Sequence, residues 1–131
     1  MHDKELILEI LEQIYDSTRK VLKRFEPIKS AHEFTDSDSG MEKLDAICMQ
    51  LIAIGEALNN LDKITDDSLL LNYPQIDWKK VKGMRDVISH HYFDIDAEAI
   101  FKVCTDHIEQ LAEVTKKIIK DVRECQILNN D

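Results

Sequence analysis

The run from Asp77 to Tyr92, DWKKVKGMRDVISHHY, gathers more side chains able to do chemistry than any comparable stretch of the chain. Lys79, Lys80, Lys82 and Arg85 stand against Asp77 and Asp86, so four positive charges less two negative make the run +2 in a chain of −9, and the remainder carries −11. Cationic charge beside two adjacent histidines and a tyrosine is the composition expected around a bound phosphate. Lysines on the opening turns of an exposed helix ordinarily form a solvated face. Lys79, Lys80 and Lys82 are therefore read either as that face or as supplementary phosphate-binding groups.

Arg85 is different. On a helical wheel it lies about 40° from Val81 and about 60° from Ile88, at the edge of the apolar stripe, where a charge needs a partner. Tyr92 returns to within about 20° of Arg85 if the helix continues that far, whereas His90 falls about 140° away. Arg85 and His90 can meet at one phosphate only if the helix ends or distorts near Ser89, or if a second subunit completes the site. Ser89 reads as a helix-end hydroxyl. His91, near Met84 and Val87 on the wheel, reads as a packed histidine, with a second proton carrier as the alternative. Glu56, next to Gly55 in an earlier apolar pattern, either pairs with Arg85 and orients it or is an exposed carboxylate. His2, His32 and His107 have no metal-ligand spacing, and no Glu-x-x-His occurs, so no metal or cofactor is expected.

The elements that must hold these residues are helical. Ile7, Ile10, Leu11, Ile14, Thr18, Val21, Leu22 and Phe25 recur at three and four, predicting a helix over 3–25 that Pro27 stops. A small, acidic run over 35–40 predicts a mobile connection. A second helix is expected over 41–61, where Gly55 implies close approach by another helix backbone. Thr65 or Asp66 offers a cap for a short turn over 68–71, and Asp77 a cap for a helix from Trp78 to about residue 91. Asp94 or Asp96 caps a last long helix to about Arg123, leaving a tail over 124–131. The expectation is a single all-α domain over 1–131, an up-and-down four-helix bundle with an extra short helix. Leu6, Leu8, Tyr15, Met49 and Ile52 lie outside the main stripes, and a homodimer would cover them.

Composition narrows the rest. The 131 residues include only three Gly and two Pro, too few tight turns for an all-β fold. Seventeen Lys plus Arg against twenty-six Asp plus Glu argues against broad, sequence-independent binding to nucleic acid or anionic membranes, with local exceptions. Cys48, Cys104 and Cys125 are an odd, dispersed set, read as reduced thiols. The charged start MHDKELILEI is unlike a signal peptide, and no apolar run approaches the ~18 residues of a membrane span, so a cytoplasmic protein without membrane attachment is expected.

Arg85, four residues, His90, one residue and Tyr92, followed by an Asp-containing turn and a long helix, resemble the signature of the HEPN superfamily, specifically its HepT toxin branch. Ile54-Gly55-Glu56-Ala57 and the lead-in from Trp78 to Met84 resemble the same family, extending the likeness over about residues 1–123. The resemblance implies a metal-independent endoribonuclease toxin, a homodimer with the two motifs facing across a cleft. It also implies a partner antitoxin, an MNT-type nucleotidyltransferase that attaches AMP to the motif tyrosine. Carried over, phosphate stabilisation falls to Arg85, general acid or base work to His90 and modification to Tyr92, with Asp86, Ser89, His91 and Glu56 as supporting candidates and Lys79, Lys80 and Lys82 as RNA-binding ones. Asp86 stands where many relatives have Asn. The alternative is a non-catalytic helical dimer that serves as the nucleotidyltransferase's binding partner and substrate. A third reading, a bundle binding a phosphorylated small molecule through Lys79 to Lys82, lacks any Gly-rich phosphate loop.

Overall fold

The computed structural model describes residues 3–90 and 92–124, with Tyr92 described by its backbone alone. Helix α1 (Lys4–Phe25) begins where the Asp3 carboxylate accepts from the Leu6 N–H at 3.1 Å, and it buries Ile7, Leu11, Ile14, Thr18 and Val21. Helices α2 (Asp38–Ile64), α3 (Trp78–His90), α4 (Ala97–Asp106) and α5 (Ile108–Arg123) follow, with 3-10 turns at Ala31–Phe34, Leu70–Asn72 and Tyr92–Asp94. No strand occurs among the described residues, and the all-α architecture is as the periodicity predicts. Helix α1 packs against both α2 and α5, and α2 also carries α3.

Three local expectations need correction. Only part of the run 35–40 is a connection: the Ser37 hydroxyl accepts from the Gly40 N–H at 3.0 Å and caps α2, so Asp38 to Gly40 form its first turn. Gly40 is required there, because a Cβ would collide with the Glu33 carbonyl oxygen. Nor do Thr65 and Asp66 cap the short turn, which lies at Leu70–Asn72 with Leu69 before it and no side-chain cap. The Thr65 hydroxyl instead donates back to the Leu61 carbonyl at 2.8 Å, and Asp66 and Asp67 take left-handed φ angles of 53° and 62°, a region Asp tolerates better than most residues.

The third correction concerns the last helix, which divides at His107 into α4 and α5. Asp96 caps α4, accepting from the Glu98 and Ala99 N–H groups. The apolar stripe runs through both pieces, with Ile100, Cys104, Ile108, Leu111, Ile118 and Val122 all buried. The two pieces serve different surfaces: α5 lies along α1, while α4 covers the first 3-10 turn and sets Phe101 against Phe25 at 5.1 Å between ring centroids. A single straight helix would reach only one of them.

A buried polar link ties the α2–α3 connection to α5. The Tyr73 hydroxyl donates to Asp121 Oδ2 at 2.6 Å, Lys117 adds an ion pair to the same oxygen at 3.2 Å, and the Trp78 indole N–H donates to the Tyr73 carbonyl at 2.8 Å. Burial, reinforced by Asp121, raises the Tyr73 pKa, while the Tyr73 bond and Lys117 lower that of Asp121. Cys48 and Cys104 are free and buried, and burial pushes their pKa values up to about 11 and about 12, respectively, so they are packed thiols as expected. Cys125 and residues 125–131 of the expected tail lie outside the described residues. Leu6 and Met49 are exposed, whereas Leu8, Tyr15 and Ile52 are partly buried against the core. Among the described residues no helix is long and apolar enough to cross a membrane.

Removing the Tyr73 hydroxyl orphans one side of a buried carboxylate, so Tyr73→Phe is expected to cost about 1–3 kcal/mol in urea unfolding at pH 7. Asp121 has a folded pKa below its unfolded value. Its contribution is therefore full above the unfolded carboxylate pKa of about 3.9 and is lost as pH falls through the lower folded value, and the gap between wild type and variant should narrow over that range.

Candidate active site

The site begins with a residue that has no side chain. A Cβ at Gly55 would stand 3.0 Å from Arg85 Cβ and 3.3 Å from the Lys82 carbonyl oxygen, so glycine is what lets α3 lie directly on α2, as its place in the apolar pattern predicts. The helices run antiparallel, and two cations of α3 reach carboxylates of α2. Arg85 Nε donates to Glu56 Oε1 at 2.9 Å, and Lys82 Nζ pairs with Asp62 Oδ2.

Arg85 also donates from Nη1 to Asp86 Oδ1 at 3.1 Å. Its pKa is raised by the Glu56 hydrogen bond and charge and, to a smaller degree, by Asp86, so the guanidinium is a permanent cation. Among the described residues Nη2 makes no hydrogen bond, and the side chain is 42% exposed, enough for a ligand to reach it.

His90 closes α3, with Nδ1 lying 2.8 Å from the Asp86 carbonyl oxygen. A carbonyl only accepts, so Nδ1 carries the hydrogen and a neutral ring keeps its lone pair on Nε2. The side chain is exposed. Asp86 is thus the junction of the site: its carboxylate holds Arg85 and its carbonyl orients His90. Helix α3 stays α-helical through His90, so the angular separation of Arg85 and His90 persists, and the described residues show no hydrogen bond between them.

The remaining candidates fall in different places. Glu56 pairs with Arg85 while staying exposed. Ser89 and Lys79 are exposed. Lys80 lines a groove of about 290 Å³ with Ile54, Val81, Met84, His107 and Leu111. Arg85 does not line this groove, although Val81, about 40° from it on the wheel, does. Lys82 is drawn inward by Asp62, which separates it from the other two lysines as a group free for RNA. Tyr92 opens a 3-10 turn instead of continuing α3, so the helical alignment with Arg85 does not form. The Tyr92 side chain and all of His91 lie outside the described residues. Asp62 escaped the sequence reading, although its wheel position about 20° from Gly55 puts it on the face that meets α3.

The chain belongs to the ribonuclease HepT-like family, whose description matches residues 7–118. A Methanocaldococcus jannaschii protein named as a putative RNase is 34% identical over 77 residues, covering 59% of this chain and 60% of that protein. A second protein of that organism, similarly named, is 33% identical over 79 residues, 60% of this chain and 65% of its own length. The chain therefore spans less than two thirds of these relatives. A protein of Thermococcus cleftensis named as a probable ribonuclease HepT is 29% identical over 116 residues, 88% of this chain and 92% of that protein. No solved structure gives a significant match.

Gly55→Ala is expected to push α3 off α2, because the new methyl group meets a carbonyl oxygen and a Cβ rather than a flexible chain end. A cost of about 1–3 kcal/mol is expected for such overpacking. Amide hydrogen exchange should accelerate over 78–90 more than over α1, whereas equal acceleration in both would mean that Gly55 does not control this contact.

Proposed function

We propose that this protein is a metal-independent endoribonuclease, the toxin half of a toxin–antitoxin pair. One observation carries the reading beyond family membership: a fixed guanidinium and an imidazole of defined tautomer stand on one stretch of α3, joined through Asp86. RNA brings its own nucleophile. His90 Nε2 takes the proton of the 2′-hydroxyl, the oxygen attacks phosphorus, and the bond to the 5′-oxygen breaks as that oxygen receives a proton. The products are a 2′,3′-cyclic phosphate and a 5′-hydroxyl end. Arg85 offers Nη2, and Nη1 once Asp86 yields it, to the charge that builds on the phosphorane, while Glu56 holds Nε and positions the fork.

The separation of Arg85 and His90 around α3, together with exposed Leu6 and Met49, supports a homodimer in which the two copies of the motif face one cleft. In such a cleft one His90 takes the proton and the partner's His90 returns one. The antitoxin is an MNT-type nucleotidyltransferase that transfers AMP from ATP to the Tyr92 hydroxyl, releasing pyrophosphate. A bulky anion two residues from His90 would repel the RNA backbone. The cytoplasm is the proposed compartment. A second reading has one specific observation in its favour, the hold of Asp86 on Arg85: a non-catalytic helical dimer that binds the nucleotidyltransferase and presents Tyr92 to it.

Unmodified protein in EDTA should cut single-stranded RNA and leave 2′,3′-cyclic phosphate ends. Arg85→Ala and His90→Ala should each slow cleavage by ~100-fold or more, and Asp86→Asn should speed it by freeing Nη1. Wild-type protein that leaves RNA intact, or that behaves as Arg85→Ala does, would favour the binding module.

A further inference from the structure

The densest positive charge lies outside the candidate active site. Arg19, Lys20, Lys23 and Arg24 place four cations and no anion within six residues of α1, in a chain of net charge −9. Among the described residues none of the four joins a salt bridge, whereas Lys82, Arg85, Lys117 and Arg123 all do. Arg19, Lys20 and Lys23 are exposed and Arg24 is half-buried. Lys23 and Arg24 stand in the last turn of α1, where cations offset the helix dipole, but Arg19 and Lys20 lie earlier and gain nothing from it. Arg19, Lys20 and Lys23 border, with Leu22 and Glu26, a shallow hollow of about 460 Å³.

Position gives this charge a use. Phe25, the last residue of α1, meets Phe101 of α4, and α4 starts seven residues after His90. The cationic turns of α1 are thus at the end of the bundle where α4 packs, apart from the Gly55–Arg85 contact that places α3. An otherwise acidic surface repels a polyanion, so a local concentration of unpaired cations selects where the polyanion lies.

We propose that this face of α1 binds the phosphate backbone of single-stranded RNA beyond the cleavage site. The proposal rests on the ribonuclease reading for its substrate class. The hollow takes successive phosphates through Arg19, Lys20 and Lys23 without reading bases, so it favours long strands over short ones and adds affinity without choosing sequence.

The test measures binding of fluorescently labelled RNA of 24 and of 4 nucleotides across a salt series, with cleavage followed on both lengths. The full-length chain is compared with R19Q/K20Q, the fourfold variant R19Q/K20Q/K23Q/R24Q, and a charge-matched pair at the other end of the molecule, K116Q/K120Q. The expected result is that the fourfold variant binds the 24-mer about tenfold or more weakly and flattens its log–log salt slope by up to about 3. KM should rise for the long strand with kcat unchanged, while the 4-mer and the matched pair stay near wild type. If R19Q/K20Q and the fourfold variant bind and cut the 24-mer as wild type does, the exosite is overturned and the nuclease stands. Loss of binding to polyglutamate in place of RNA assigns the patch to an acidic protein and likewise overturns it. A wild type that cuts neither length yet loses 24-mer binding in the fourfold variant supports the patch and sinks the nuclease.

Discussion

The contact of α3 with Gly55 is the constraint from which the site follows. A helix backbone can settle that close to another only where the intervening side chain is missing, and once it does, the next residues along α2 decide what the α3 cations meet. Glu56 takes Arg85 and Asp62 takes Lys82, so the helices are fixed in register by two ion pairs of unequal character. The Arg85 pair is open to solvent and contributes little to stability, but it sets the direction of the guanidinium. The Lys82 pair is more enclosed and acts as an anchor. The geometry of the candidate site thus depends on spacing within α2, although Arg85, Asp86 and His90 all belong to α3.

Much of the fold was legible because amphipathic helices announce themselves: the stripes of α1, α2 and α5 are buried where the three-four spacing puts them. What the sequence did not reveal was tertiary. Nothing local marks His107 as the break between α4 and α5, since its neighbours continue the same stripe and the bend answers to surfaces on α1 and the first 3-10 turn. Tyr73 and Asp121 are 48 residues apart, and neither belongs to a pattern that names the other. In the candidate site, the motif residues and Gly55 could be picked out by type and spacing. Glu56 could be named as one of two readings for Arg85, and it does pair with it, but Asp62 could not: Lys82 looks like Lys79 and Lys80 in one dimension, and only the pairing of α2 with α3 sets it apart.

Charge is distributed with the same economy. Of the four cations of α3, Lys82 and Arg85 are already committed to carboxylates, and Arg85 itself is shared between two. The guanidinium of Arg85 is therefore only partly open to a new partner, through Nη2. Asp86 serves both ends of the cluster at once, its carboxylate on Arg85 and its carbonyl on His90.

The attachment of α3 has a further consequence. Helices α1, α2 and α5 share the buried core, but α3 rests mainly on α2, contributes one buried side chain, Ile88, and is tethered at its start through Trp78 and Tyr73. The cooperative unit that unfolds last need not include it. Helix α3 can lift away as a small sub-global opening of lower free energy, pivoting on its tethered beginning while the rest of the bundle stays folded. His90 stands at the end of α3 opposite that tether, so an opening of this kind would move the imidazole without appearing in a bulk melting curve.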